Sequence, residues 1–304
     1  MKKSTAIIIF IIIINFIFTF PAHAQTLSLS LWPPLLEATM QPGRSITAVY
    51  KLTNNSDRPL EITPQIYPFE PQDESGQIKI KFLTPKSSLP QPLFSFESRE
   101  KLGEPFTVTF GETKELVLKI TLPKNLSEKD YYYTLLFSTA EIAFENQAEG
   151  GKSGAVSQIG GNILITTSQL GKPSLLGAIS SFSAPTIIDS FSATDFAVIL
   201  ENRGKNLWKP FGEIKIKGFF KEKTEIKVLE QNVLAYSSRK LSLEPFRPRI
   251  PLGPFKAKLD LTLNQEGPSL SSEINFWYLP YKALGIILLF TLAVILVRKT
   301  TRRA

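Results

Sequence analysis

Apolar and polar residues alternate along most of the chain, and two uninterrupted apolar runs stand near its ends. Ile46, Ala48, Tyr50 and Leu52, for example, alternate with Thr47 and with mixed neighbours. A period of two is typical of a strand that buries one face. Turn-forming residues, mainly Asn, Asp, Gly and Pro, separate such segments. The pattern predicts an all-β protein.

The predicted strands fall into two series of about seven, the number typical of one immunoglobulin-like β-sandwich. The first series is residues 46–52, 60–67, 77–82, 106–110, 115–122, 131–137 and 162–167. The second is residues 175–182, 196–202, 213–218, 225–229, 239–243, 255–263 and 272–278. We therefore expect two immunoglobulin-like β-sandwich domains in tandem, over residues 26–170 and 172–278. Turn sequences at residues 54–57 and 201–206 follow corresponding strands and indicate a weak internal repeat.

The first apolar run, residues 6–20, follows two lysines and carries no charge. These features are typical of a secretory signal peptide, predicted here over residues 1–24. Cleavage is expected after the small residues Ala22 and Ala24, so that the mature chain begins at Gln25. An uncleaved N-terminal anchor is the alternative. Either interpretation places the middle of the chain outside the cytoplasm.

The second apolar run, residues 283–297, forms about 22 Å of helix at about 1.5 Å per residue. A bilayer core is about 30 Å thick, and residues 276–282 would lengthen the helix to about 33 Å. The sequence predicts a transmembrane helix over residues 279–297, with a buried core helix as the alternative. Interface anchors are expected at Trp277, Tyr278, Tyr281 and Lys282.

A basic tail, residues 298–304, follows this run and is expected to stay in the cytoplasm. Its cations are Arg298, Lys299, Arg302 and Arg303. The resulting prediction is a single-pass type I protein of the cell membrane whose bulk is extracytoplasmic.

Charge is concentrated in these terminal signals. Two N-terminal lysines and four tail cations account for six of the net +8 charges, which leaves +2 for the remainder. A nearly neutral middle gives no support to nucleic-acid binding. Four lysines, Lys215, Lys217, Lys221 and Lys223, are interleaved with Glu213, Glu222 and Glu225. A solvated strand face explains them.

Catalytic residue types are scarce. The chain has no Cys, and its one His is His23, within the predicted signal peptide. This removes His- or Cys-dependent nucleophiles, zinc sites of thiolate or imidazole, and disulfides. We predict no catalytic residue, cofactor or metal. A hydrolase that uses two carboxylates stays a remote alternative and would need a cleft with acids about 5 to 9.5 Å apart.

Two segments stand out beside the order of domains: LSLSLWPPLLEATMQPGRSITAVYKLTNNSDRPLEI at residues 27–62 and FWYLPYK at residues 276–282. With that order, they resemble the WxL-interacting cell-surface proteins of Gram-positive bacteria. Pro42-Gly43 precedes a strand that ends in an Asn-rich turn, as in that family's peptidoglycan-binding domain. The resemblance implies a peptidoglycan-binding-like first domain and a partner-binding-like second domain.

The sequence therefore favours a binding protein for cell-wall polymer, such as peptidoglycan, or for another secreted surface protein. One alternative is a chaperone-like surface-assembly factor that works by β-strand augmentation, which requires an unpaired and fairly apolar edge strand. Trp32, before Pro33 and Pro34, has two interpretations: an exposed platform for a sugar ring or, more often, a residue that closes the core. Trp208 is expected to pack in the core.

Overall fold

The structure is a computed structural model and describes residues 27–82, 90–140, 142–145, 152–220, 222–265 and 267–301. Within these ranges β-strands are the main secondary structure and one helix follows them, so the all-β prediction is confirmed. Strands β1–β12 are called the first unit and strands β13–β20 the second unit.

The first unit consists of β1 Leu29–Trp32, β2 Leu35–Met40, β3 Ser45–Asn54, β4 Leu60–Pro71, β5 Ile78–Ile80, β6 Leu93–Phe96, β7 Phe106–Val108, β8 Thr113–Thr121, β9 Asp130–Thr139, β10 Ile142–Glu145, β11 Lys152–Ala155 and β12 Gln158–Thr167. One of its sheets has the order β1-β3-β8-β6. A second has the order β2-β12-β9-β4-β5, and β7 also pairs with β4, while β10 and β11 form a separate two-stranded sheet. The alternating apolar residues of β3 and β8 bury one face each and, with Leu135 and Phe137 of β9, form the core between the two larger sheets.

The second unit consists of β13 Gly177–Ser183, β14 Ile187–Asp189, β15 Ala197–Asn202, β16 Pro210–Gly218, β17 Lys223–Lys227, β18 Ser238–Lys240, β19 Gly253–Leu263 and β20 Ser269–Leu279. Its sheets have the orders β13-β15-β18 and β14-β20-β19-β16-β17. A separate core lies between them, with Trp208 completely buried as predicted. Helix α1, Tyr281–Thr301, follows β20.

The predicted internal repeat appears as a shared hydrogen-bond pattern around Asn54 and Asn202, both buried where a strand ends. Each side-chain amide donates to the carbonyl four residues on and to the carbonyl of a distant segment. Each side-chain oxygen accepts from the backbone N–H two residues on. The distances for Asn202 are 2.9, 3.0 and 2.8 Å. One side chain thus fixes a turn to its neighbouring loop.

Asn202→Ala is expected to lower the free energy of unfolding by about 2–4 kcal/mol, because two buried carbonyls and one N–H each lose one hydrogen bond. Urea denaturation measures the change. Asn55→Ala is the matched control, since Asn55 is exposed and its side chain bonds only Ser30 Oγ at 2.7 Å. An equally small effect at both positions would contradict this account of the repeat.

The C-terminal helix differs from its prediction. The predicted span needs residues 276–282 as helix, but β20 continues to Leu279 and α1 begins at Tyr281. In the part of the chain that the structure describes, no helix combines the length and the apolar character that a membrane crossing requires. The predicted transmembrane helix over residues 279–297 and the single-pass type I topology are therefore wrong. A buried core helix is also wrong, because Leu288 and Phe290 are each 69% exposed.

The predicted membrane-interface residues lie in different environments. Trp277 is half-exposed on β20, whereas Tyr278 is fully buried. The Tyr278 hydroxyl lies 2.5 Å from Thr194 Oγ1, which makes it a core residue of the second unit. Tyr281 and Lys282 begin α1, where the backbone N–H of Lys282 donates to Asp189 at 3.0 Å.

The remaining predicted sites lie at the two termini. Arg298 and Lys299 occupy the last turns of α1 rather than a separate tail. The predicted signal peptide, its cleavage residues Ala22, Ala24 and Gln25, and the tail residues Arg302 and Arg303 lie outside the described residues.

Candidate functional site

The N-terminal strand of the first unit belongs to both sheets. Its first half, β1, pairs with β3, and its second half, β2, pairs in parallel with β12. The crossing lies at Pro33, which follows a cis peptide bond, and it passes directly over Gly161 of β12. We call β1 and β2 together the N-terminal edge, because each is the last strand of its sheet.

The register of β2 shows which backbone groups are unpaired. Asn162 N–H donates to the Pro34 carbonyl and Ser168 N–H donates to the Met40 carbonyl, so even-numbered residues of β2 face β12. The backbone groups of Leu35, Glu37 and Thr39 consequently point the other way. Among the described residues, no strand pairs with that side of β2. Such an edge is a template for another strand.

The apolar core is also incompletely closed along the N-terminal edge. Several of the core's partly buried side chains belong to this one segment, namely Leu27, Leu29, Leu31, Leu36 and Ala38. By contrast, Leu52 of β3 and Leu118 of β8 are completely buried. An added strand would bury more of these partly exposed side chains. Each Å² of apolar surface removed from water would stabilise the complex by about 25 cal/mol.

Gly161 permits the crossing because it has no side chain. A Cβ at this position would lie 3.1 Å from the Pro33 carbonyl oxygen and 3.2 Å from atoms of both Leu31 and Tyr50. Gly161→Val is therefore expected to destabilise the protein by about 1–3 kcal/mol. It should also increase amide exchange in β1 and β2 selectively. Gly285→Ala is the control for the loss of a glycine elsewhere in the chain, since nothing lies within 4 Å of its added Cβ and its backbone is helical. Unchanged exchange in β1 and β2 would contradict this role of Gly161.

Three other edges of the two units are protected. The outer side of β4 carries Pro64 and Pro68, whose carbonyls accept backbone N–H groups at 2.8 Å from other segments, and proline offers no donor there. Strand β17 reads Lys-Thr-Glu-Ile-Lys, a charged sequence that discourages pairing. On β18, Lys240 N–H donates to the Glu74 carbonyl of the first unit at 2.7 Å. Among the described residues, the unpaired side of β2 has no proline, no run of charges and no backbone hydrogen bond to the other unit.

The second unit contacts the first beside this edge. Glu37, on the outer face of β2, forms an ion pair with Lys209 at 2.7 Å and accepts a hydrogen bond from Asn232. The N-terminal edge thus runs along a junction between the units, and a strand added to β2 would lie next to residues of both.

A buried carboxylate, Asp130, holds this junction together. It accepts hydrogen bonds from Asn206 Nδ2 at 3.0 Å, from the Leu207 N–H and from the Tyr132 hydroxyl at 2.7 Å. The Tyr132 oxygen in turn accepts the Ala235 N–H at 2.8 Å. Burial raises the pKa of Asp130, and the hydrogen bonds oppose this without overcoming it. Burial, followed by the Asp130 charge, raises the pKa of Tyr132.

The described residues contain no group of three or more His, Cys, Asp or Glu side chains suited to a metal ion. A groove of about 850 Å³ on the second unit is lined by two carboxylates in register, Glu213 and Asp260. Each is ion-paired, with Lys215 at 3.0 Å and Lys258 at 2.8 Å. The hydrogen bond from Lys258 is the main cause that lowers the pKa of Asp260. A general acid needs a raised pKa, so this groove does not fit hydrolysis by two carboxylates.

Strands β1 and β2 were missed by the sequence-based assignment. Trp32 was expected mainly to close the core, but it is 64% exposed where β1 ends. The alternation of Leu27, Leu29 and Leu31 with polar residues was the available signal. Pro33 and Pro34 interrupt it at the point where the strand changes sheets.

Comparisons with known proteins give similarity to solved structures only. No family model matches the chain, and no curated protein matches it. The class 5 fimbriae chaperone CfaA is 10% identical with a TM-score of 0.41, over 83% of this chain and 100% of CfaA. The SafB chaperone in complex with the SafA pilin, from Salmonella enterica, gives a match that is 8% identical with a TM-score of 0.41. This match covers 83% of this chain and 98% of the solved chain. The E. coli chaperone DraB is 11% identical with a TM-score of 0.38, over 83% of this chain and 100% of DraB. Identities this low and TM-scores below 0.5 carry no functional information for this chain.

Proposed function

We propose that the protein is a chaperone-like assembly factor that binds another surface protein by pairing a strand of it with β2. The observation that carries the proposal is the unpaired backbone of Leu35, Glu37 and Thr39 beside an incompletely closed apolar core. In β-augmentation, main-chain hydrogen bonds supply affinity and the alternate side chains of the added strand supply specificity.

The proposed partner is a protein segment with apolar residues at alternate positions. Its inward side chains would cover the seam between β1 and β2, and its outward side chains would face solvent or the second unit. An immunoglobulin-like fold for both units, divided between residues 170 and 172, is part of the proposal. A binding role of this kind involves no chemical step and so no catalytic residue.

The cell-wall alternative stays a prediction, as does the resemblance to the WxL-interacting family. Peptidoglycan recognition needs polar and aromatic side chains that meet a sugar, whereas β2 offers mainly backbone groups. The structural argument therefore supports the protein partner.

Site-specific photocrosslinking in living cells tests the proposal and captures the partner in the same experiment. A photoreactive amino acid at Thr39 should form adducts with one or a few exported proteins. The same amino acid at Lys101, an exposed residue of the first unit remote in sequence from the N-terminal edge, should not form these adducts. The proposal would be overturned if position 39 crosslinked to wall fragments instead of protein. Identical adducts at both positions would also overturn it.

A further inference from the structure

The outer face of the larger sheet in the second unit carries an unbalanced row of lysines. Lys223, Lys217 and Lys256 stand directly opposite one another on β17, β16 and β19, and all three are exposed. We call them the lysine row. Like charges directly opposite on neighbouring strands destabilise a sheet. This placement could not be read from the sequence, where alternation of lysine with glutamate suggested a balanced face.

Elsewhere on the same face, like charges also stand opposite each other, as Lys215 and Lys258 do, but ion pairs with Glu213 and Asp260 compensate them. Lys227 stands opposite Glu213, and Lys215 stands opposite Glu225. Within the lysine row, Lys256 pairs with Glu273 at 2.5 Å. For Lys217 and Lys223, the described residues provide no ion pair. The row therefore has an excess of positive charge that the fold itself does not neutralise.

Exposed aromatic rings border the lysine row at one end. Phe219 and Phe220 form the turn between β16 and β17, are 66% and 49% exposed, and contact each other edge to face. Trp277 lies on β20, two residues beyond the Asn275 that faces Lys256, and is 46% exposed. Flat apolar rings beside cations suit a ligand that has both apolar faces and negative charges.

We propose that the lysine row and its aromatic border bind an acidic polysaccharide with one carboxylate on each sugar. Neighbouring strands are about 4.8 Å apart, so the lysines repeat at about the length of one sugar ring. Acidic side chains on one face of an extended peptide repeat every two residues, at about 6.6–6.8 Å, and match the row less well. Sugar rings also present the flat C–H faces that stack on Trp277 or Phe219. This site is separate from the N-terminal edge and does not depend on its function.

Binding of a polygalacturonate oligomer to the full chain, measured by calorimetry at low salt, tests the proposal. The wild type should bind, and its affinity should fall as salt rises because exposed charges are screened. Lys217→Glu should lower the affinity by about tenfold. The same substitution should raise the melting temperature, because the new carboxylate meets Lys223 and Lys256 across the strands. A loss of affinity through misfolding would lower the melting temperature instead.

Lys101→Glu is the matched control, since it makes the same charge change at an exposed lysine of the first unit. Its affinity for polygalacturonate should stay within about twofold of the wild type. Absence of polygalacturonate binding, or an equal loss in the control, would overturn the proposal. So would equal affinity for polyglutamate, which would indicate a peptide ligand, or binding of phosphatidylglycerol vesicles in place of the polymer.

Discussion

Thr39→Pro is expected to weaken binding of the surface-protein partner by about tenfold or more while the first unit stays folded. The N–H of Thr39 points away from β12, so proline removes a donor that only an added strand would use. Proline is tolerated on an edge strand when its nitrogen faces outward. The lost hydrogen bond accounts for about 1 kcal/mol, and the proline ring also occupies space that the incoming strand needs.

Two further variants separate binding from folding. Thr39→Val keeps the N–H and favours a strand, so its affinity should equal that of the wild type. Ala38→Pro removes a donor that pairs with β12 and should destabilise the unit. The affinity is measured for the exported protein that crosslinks at position 39, and the melting temperature is recorded for each variant. Undiminished binding by Thr39→Pro would show that the partner does not use this edge.

Asp130→Ala is expected to lower the free energy of unfolding by about 3–5 kcal/mol and to loosen the junction between the units, because three donors lose their acceptor. Urea denaturation measures the first effect, and the radius of gyration from X-ray scattering should increase. Glu128→Ala is the control, since Glu128 also joins the units through an ion pair with Lys205 at 3.6 Å, but this pair is exposed. The control should lower the free energy of unfolding by less than about 1 kcal/mol. An unchanged radius would contradict the role of Asp130 as the junction's anchor.

The same carboxyl predicts a specific pH dependence. Because burial raises the pKa of Asp130, the folded chain holds this proton more tightly than the unfolded chain does. Stability from this group is present below the unfolded pKa of about 3.9 and is lost as the pH rises through the folded pKa. The stability advantage of wild type over Asp130→Asn should therefore grow as the pH falls from 7 to about 4. A shrinking advantage would show that the hydrogen bonds outweigh burial.

The sequence predicted the strands whose apolar residues alternate strictly. Residues 46–52 and 115–122 correspond closely to β3 and β8, because each buries one face in the core. The second-unit core and the burial of Trp208 were also predicted. These features depend on local periodicity and side-chain volume, which are readable without a partner strand.

The candidate site was harder to predict from the sequence than the strands were. Pairing of β2 with β12 joins residues more than 120 positions apart, and no local pattern shows which edge lacks a neighbour. The buried Asp130 was not recognised because an isolated Asp after a Lys resembles a surface residue. The helix prediction failed because Phe276 and Tyr278, at alternate positions of β20, are buried in the second core. That burial overrides the fit of this apolar segment to a membrane span.

Amide hydrogen exchange along β2 tests the central claim most directly. In the free protein, the amides of Leu36, Ala38 and Met40 should exchange slowly because they pair with β12, while those of Leu35, Glu37 and Thr39 should exchange quickly. With the crosslinked partner bound, the fast set should become slow as well. Fast exchange of Glu37 and Thr39 in the saturated complex would contradict strand addition at β2.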